Sequence, residues 1–113
     1  MTFKDLLKFI ELEDKRFKDS FGVKDNEKRI LARTVKLQEE MGELCEEILK
    51  KLSLQRKEKL KSKGKLEEEF ADVLITLLLL AKAVEVDIED ALEKKIRKIK
   101  KRNKRQKMRL RVY

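Results

Sequence analysis

Histidine, proline and tryptophan are absent from this chain, and cysteine occurs once. The single Cys45 permits no intrachain disulfide, so a reducing, cytoplasmic location is the default expectation. No proline, three glycines and six aromatic residues, set against abundant Leu, Ile, Lys and Glu, disfavour a sheet protein and favour long helices. Long apolar runs are missing too. The stretch from Phe70 to Ala81 is shorter than a membrane span and holds Asp72 and Thr76, and Met1 is followed by Thr-Phe-Lys-Asp, without the apolar core of a signal segment. A soluble protein with no membrane partner is expected. Acidic residues are lacking after Glu93: Lys94 to Tyr113 contains twelve Lys or Arg and no Asp or Glu.

What is present starts from that imbalance. The net charge is +9, but outside the tail 22 acids outnumber 19 bases, so the basic character belongs to residues 94–113. At 113 residues the chain makes one domain, 1–113, with a modest core and 47% charged residues, a composition that leans towards a thermophile. Helical spacing of apolar residues predicts a first helix over Thr2–Ser20, with Thr2 and Asp5 as its cap and Gly22 as its terminator. A second runs from Asp25 to about Leu52. After a polar connection over Ser53–Gly64 a third reaches about Val84, and a fourth, capped by Asp87, carries Ile88, Leu92, Ile96 and Ile99 before dissolving into the basic tail. The expectation is an all-α, four-helix antiparallel bundle.

Within it the stretch EEEFADVLITLLLLAKAV, Glu67 to Val84, sets one carboxylate, Asp72, into an almost unbroken apolar run. A buried charge is costly unless paired. Each helical residue advances by about 100°, so relative to Leu44 on the apolar stripe of the second helix, Glu40, Glu47 and Glu43 fall at about −40°, −60° and −100°, flanking the core. If the second and third helices pair antiparallel, these acids can converge with Glu69 and Asp72. Such a cluster needs a cation or raised pKa values. With no His and one Cys, oxygen-only ligands point to Mg²⁺ or Mn²⁺ rather than Zn²⁺, and Mg²⁺ beside a groove points to phosphate substrates. Two plainer readings stand beside this: the acids form a solvated helix face, or Asp72 pairs with Lys36. A third helix that is apolar nearly all round must also be covered on several sides, which favours a bundle completed by oligomerisation.

Glu40-Met-Gly-Glu43-Leu and Glu69-Phe-Ala-Asp72-Val resemble the paired ExxE and ExxD motifs of the MazG-like all-α nucleotide pyrophosphohydrolases, and the resemblance extends from Lys36 to Lys95. It implies Mg²⁺-dependent cleavage of a nucleoside triphosphate to a monophosphate and pyrophosphate, with house-cleaning of non-canonical nucleotides or a phosphoribosyl-ATP substrate as possible uses. It further implies that Glu40, Glu43, Glu69 and Asp72 hold the metal and act in catalysis; Glu47, from its place on the helical wheel, is a secondary candidate. Lys95, and Lys36 on the acid stripe, are candidate contacts to substrate phosphate. Homodimers or homotetramers are implied as well. Where members similar to dCTP pyrophosphatase carry an Asn four residues after the lysine, this chain has Ile99. The tail supports a rival function, a non-catalytic helical module that binds nucleic acid through residues 94–113.

Overall fold

A computed structural model describes residues 1–21, 25–60 and 65–112. The Gly22 terminator, Gly64 and Tyr113 lie outside the described residues. Among these residues five helices follow one another, α1 (Phe3–Phe21), α2 (Asn26–Lys51), α3 (Lys57–Leu60), α4 (Leu66–Ala83) and α5 (Ile88–Val112), and there is no strand. Four of these are the expected long helices. The fifth, α3, is a single turn inside the connection.

Local chemistry sets the helix starts. At α1 the Thr2 backbone N–H donates to Asp5 Oδ2 (3.0 Å) while the Asp5 N–H donates to Thr2 Oγ1 (3.1 Å), a reciprocal capping pair. Asp25 accepts from the N–H groups of Glu27 (3.0 Å) and Lys28 (3.4 Å) at α2, and Asp87 accepts from Asp90 N–H (3.1 Å) at α5.

Two helix ends share one device. Leu54 N–H bonds back to Leu49 C=O (2.8 Å) after α2, and Val86 N–H to Ala81 C=O (2.9 Å) after α4, each with a left-handed residue at the turn: Ser53 (φ 55°) and Glu85 (φ 59°). A residue with a Cβ is strained there. Glu85→Gly is therefore expected to raise unfolding stability by about 0.5–1 kcal/mol, read by urea denaturation. A loss of stability would show that the Glu85 side chain contributes more than its backbone strain costs.

Packing follows the antiparallel expectation for α2 and α4, the principal helix pair: Glu43 of α2 meets Glu69 at the start of α4, while Arg29 and the α4 end share a cleft. α1 lies against α4, with Lys82 Nζ 3.9 Å from Glu11 Oε1. The core is small. Ile10, Leu78 and Leu79 are buried, with Leu6, Phe17, Ile75 and Ile88 against them. Ile88 is where α5 joins this core; from Asp90 to Arg109 every residue of α5 is exposed. The helix does not dissolve at the basic segment, because Lys and Arg are good helix formers and no Pro or Gly intervenes. A protruding α5 explains a radius of gyration of 18.9 Å, against about 13 Å for a compact chain of this length.

Candidate metal centre

Helices α2 and α4 bring Glu40, Glu43 and Glu69 together, with one carboxylate oxygen of each within 4.8 Å of the others. Counting along the helices alone leaves Glu43 and Glu69 at different levels, and the connection removes the mismatch. Its described part, α3, lies beside α2, where Lys59 Nζ reaches Glu46 Oε1 at 2.7 Å, and α4 starts level with the Glu43 turn rather than with the end of α2. This contact, thirteen residues apart in sequence, accompanies the register that brings the acids level.

Glu40 is 8% exposed on an otherwise polar helix flank. Its Oε1 lies 3.3 Å from Lys36 Nζ, which is also 3.3 Å from Glu39 Oε1. Its Oε2 is sealed from solvent and has no hydrogen-bond partner, and the same holds for Glu69 Oε2. Stranding a carboxylate oxygen in this way is costly, and the cost grows when both belong to one acidic cluster. Glu69 shows the strain: its pKa is raised above the ordinary carboxylate value by desolvation first, then by the charges of Glu43, Asp72 and Glu40 and by a hydrogen bond with Glu43. The donors are all carboxylate oxygens and two are unsatisfied, so these residues fit a hard divalent cation such as Mg²⁺ or Mn²⁺.

The remaining candidates are placed differently. Asp72 is exposed rather than buried, and it stands outside the three-carboxylate group while lying close enough to raise the pKa of Glu69. Asp72 stands near the start of α4, and its side of the helix is buried only further along, at Thr76 and Leu79; Phe70, Leu74 and Leu77, on the opposite flank, are uncovered in the single chain as well. Lys36 does not pair with Asp72, because Glu39 and Glu40 hold it, and their carboxylates raise its pKa. Glu47 is engaged by Lys50 at 2.7 Å and is not part of the cluster. Lys95 is exposed on α5, which joins the core only near Ile88, so the single chain does not bring it to the carboxylates.

Two charged residues absent from the sequence reading are buried: Asp14 (2% exposed) and Arg33 (8%). The Arg33 guanidinium lies 4.3 Å from the Phe17 ring centre, and burial lowers its pKa while Asp14 opposes that shift. Arg33 falls at about −20° on the α2 wheel, at the edge of the apolar stripe and beside Glu40 at about −40°, so a cation set against the stripe was the available signal. Phe17, Arg29, Ala32, Arg33 and Lys36 line a cleft of about 460 Å³ on the same helix as Glu40. Arg33 and Lys36 stand within two helical turns of Glu40, and Arg29 one turn further back.

Residues 28–106 match the MazG nucleotide pyrophosphohydrolase domain. The chain belongs to this family. The MazG match spans α2 through most of α5 and includes all three clustered carboxylates. The uncharacterized protein YpjD of Bacillus subtilis (strain 168) is 32% identical over 74 residues, covering 66% of this chain and 67% of that protein. No solved structure matches. Among the described residues no helix is long and apolar enough to cross a membrane.

The raised pKa of Glu69 gives a test of the centre without any substrate. In the folded, metal-free chain Glu69 holds its proton to higher pH than in the unfolded chain, so its contribution to stability is lost as pH rises from the ordinary carboxylate range through that raised pKa. A divalent cation opposes the loss by binding the ionised form. Mg²⁺ is expected to raise the melting temperature more near pH 8 than near pH 5. An equal shift at both, measured by calorimetry, would rule the cluster out as the binding site.

Proposed function

We propose that this MazG domain is a Mg²⁺-dependent nucleoside triphosphate pyrophosphohydrolase that releases a nucleoside monophosphate and pyrophosphate. One observation carries the reading. Two sealed, unpartnered carboxylate oxygens, Glu40 Oε2 and Glu69 Oε2, sit in a cluster of three acids whose ligand atoms lie within 4.8 Å. Glu40, Glu43 and Glu69 would hold the cation, with Asp72 as a further ligand on the exposed side. Mg²⁺, when bound, supplies a Lewis acid for phosphate oxygens and lowers the pKa of a coordinated water.

The chain's own groups complete the site. Lys36, on the cleft wall and 3.3 Å from Glu40, is placed to offset charge on the triphosphate, and Arg29 extends that positive wall. Arg33 already covers the Phe17 ring, so it holds the cleft wall rather than gripping the nucleotide. Lys95 can reach phosphate only across an interface between copies.

That interface is part of the proposal. The chain exposes 9754 Å², whereas a compact monomer of this mass exposes about 6,500 Å². The difference exceeds what one partner contributes to a standard dimer interface, about 800 Å². Phe70, Leu74 and Leu77 on α4 and Leu92, Ile96 and Ile99 on α5 are the exposed apolar residues a second copy would cover, in a homodimer or homotetramer.

Pyrophosphate release tests the activity. The panel comprises the canonical ribo- and deoxynucleoside triphosphates, oxidised and methylated analogues, and phosphoribosyl-ATP, each with Mg²⁺, Mn²⁺ or chelator. Turnover of at least one triphosphate, lost with chelator, is expected. Preference for a modified base would identify a house-cleaning role, and turnover of phosphoribosyl-ATP alone would move the chain to that branch. Silence across the panel would overturn the proposal.

A further inference from the structure

From Lys98 to Arg109, α5 carries eight Lys or Arg in twelve residues. All are exposed, and among the described residues none pairs with an acid; the last ion pairs on the helix are Lys94 with Asp90 (2.8 Å) and Arg97 with Glu93 (4.0 Å). Cations favour a helix C-terminus only within its last turn. Here they extend over three turns and face one another at the helical neighbour spacing, as in Lys98 with Arg102, Lys100 with Lys104 and Lys101 with Arg105. Like charges four residues apart destabilise a helix. The segment therefore stands as a self-repelling cationic rod, and the triphosphate site does not account for it.

The arrangement around the rod is informative. Taking Leu92 as zero, Ile96, Ile99, Asn103 and Gln106 fall at about 40°, −20°, 20° and −40°, so the neutral residues form one stripe about 80° wide, Met108 alone lying off it. Lys95 and Arg102 flank one edge at about −60° and −80°, and Lys107 and Lys100 the other at about 60° and 80°. Between Ile99 and Leu110, which returns to the stripe at about 0°, the stripe is amide rather than apolar: its residues are Asn103 and Gln106. A membrane-surface helix needs a broad apolar face with Trp, Phe or Leu, which this segment lacks.

We infer that the α5 segment from Lys98 to Arg109 binds double-stranded DNA by lying in the major groove. A helix about 10–12 Å across matches a groove about 12 Å wide, with phosphates along both walls and base edges on its floor. Lys100 and Lys107 meet one wall and Arg102 the other, while Asn103 and Gln106 face the floor, where side-chain amides hydrogen-bond base edges. Eight cations lie along about 17 Å of helix, and duplex DNA carries one phosphate charge per about 1.7 Å. The major groove of A-form RNA is too narrow to admit the helix.

Fluorescence anisotropy of the full chain with a labelled 20-base-pair DNA duplex, the RNA duplex of the same sequence and phosphatidylglycerol vesicles tests this. DNA is expected to bind most tightly, with a log–log salt slope of about −5 to −7 for six to eight phosphates neutralised. The variant K100Q/R102Q/K107Q should lose at least tenfold in affinity and flatten that slope by about 3, with pyrophosphohydrolase turnover unchanged as the check on folding. The helical signal of the chain should rise when DNA neutralises the rod. RNA bound as well as DNA, preference for the vesicles, or a triple variant indistinguishable from the parent would each overturn groove binding, and none of them bears on the triphosphate reading.

Discussion

Glu69→Gln is expected to lower kcat/KM for the best triphosphate by about 10²–10³ or more, the loss typical when a charge-stabilising group is removed from a catalytic site. The same change is expected to stabilise the metal-free protein. Glu69 is the cluster member whose ionisation the fold opposes, through desolvation and through the charges of Glu43, Asp72 and Glu40. An amide of the same shape removes that repulsion while leaving α4 and its packing in place. Loss of activity with a gain in metal-free stability is the signature of a residue kept for function. It separates the proposal from a folding defect, which would lower both. Asp72→Asn should cost less, because Asp72 is exposed and stands outside the three-carboxylate group. If Asp72→Asn proved the more damaging change, the cation would have to sit on the exposed side of the cluster, held by Asp72 ahead of Glu69.

The difference between those two acids marks how far the sequence could be read. Helix identities and the caps at Thr2, Asp25 and Asp87 were accessible, because each rests on local spacing or on a short-range hydrogen bond, whereas convergence of Glu40, Glu43 and Glu69 could be read only as conditional on how two helices pair. The level of α4 against α2 was not accessible, since it depends on tertiary packing across a connection with no strong periodicity. Asp72 misled for a related reason: an apolar run implies burial, but not where along the helix it begins, and on Asp72's side of α4 it begins at Thr76. Arg33 shows the converse: a charge at the edge of the α2 stripe is buried because Phe17 of α1 lies against it, a contact no one-helix pattern contains.

Leu74→Asp tests where the missing cover comes from. Leu74 is 48% exposed in the single chain, so a carboxylate there costs the monomer little. In an assembly that buries it, the change forfeits about 1.5–3 kcal/mol of apolar burial and adds the penalty of an unpaired buried charge. At about 1.4 kcal/mol per decade, the dissociation constant should rise at least a hundredfold. Sedimentation velocity should show monomers at concentrations where the parent chain is oligomeric, with helical content retained. Activity should fall with the assembly, through KM above all, if Lys95 reaches phosphate from the neighbouring copy, and K95Q should then reproduce the KM change without dissociating the parent assembly. A Leu74→Asp chain that sediments as the parent does would place the interface elsewhere. It would leave Phe70, Leu74 and Leu77 in water, at odds with the apolar pattern of α4.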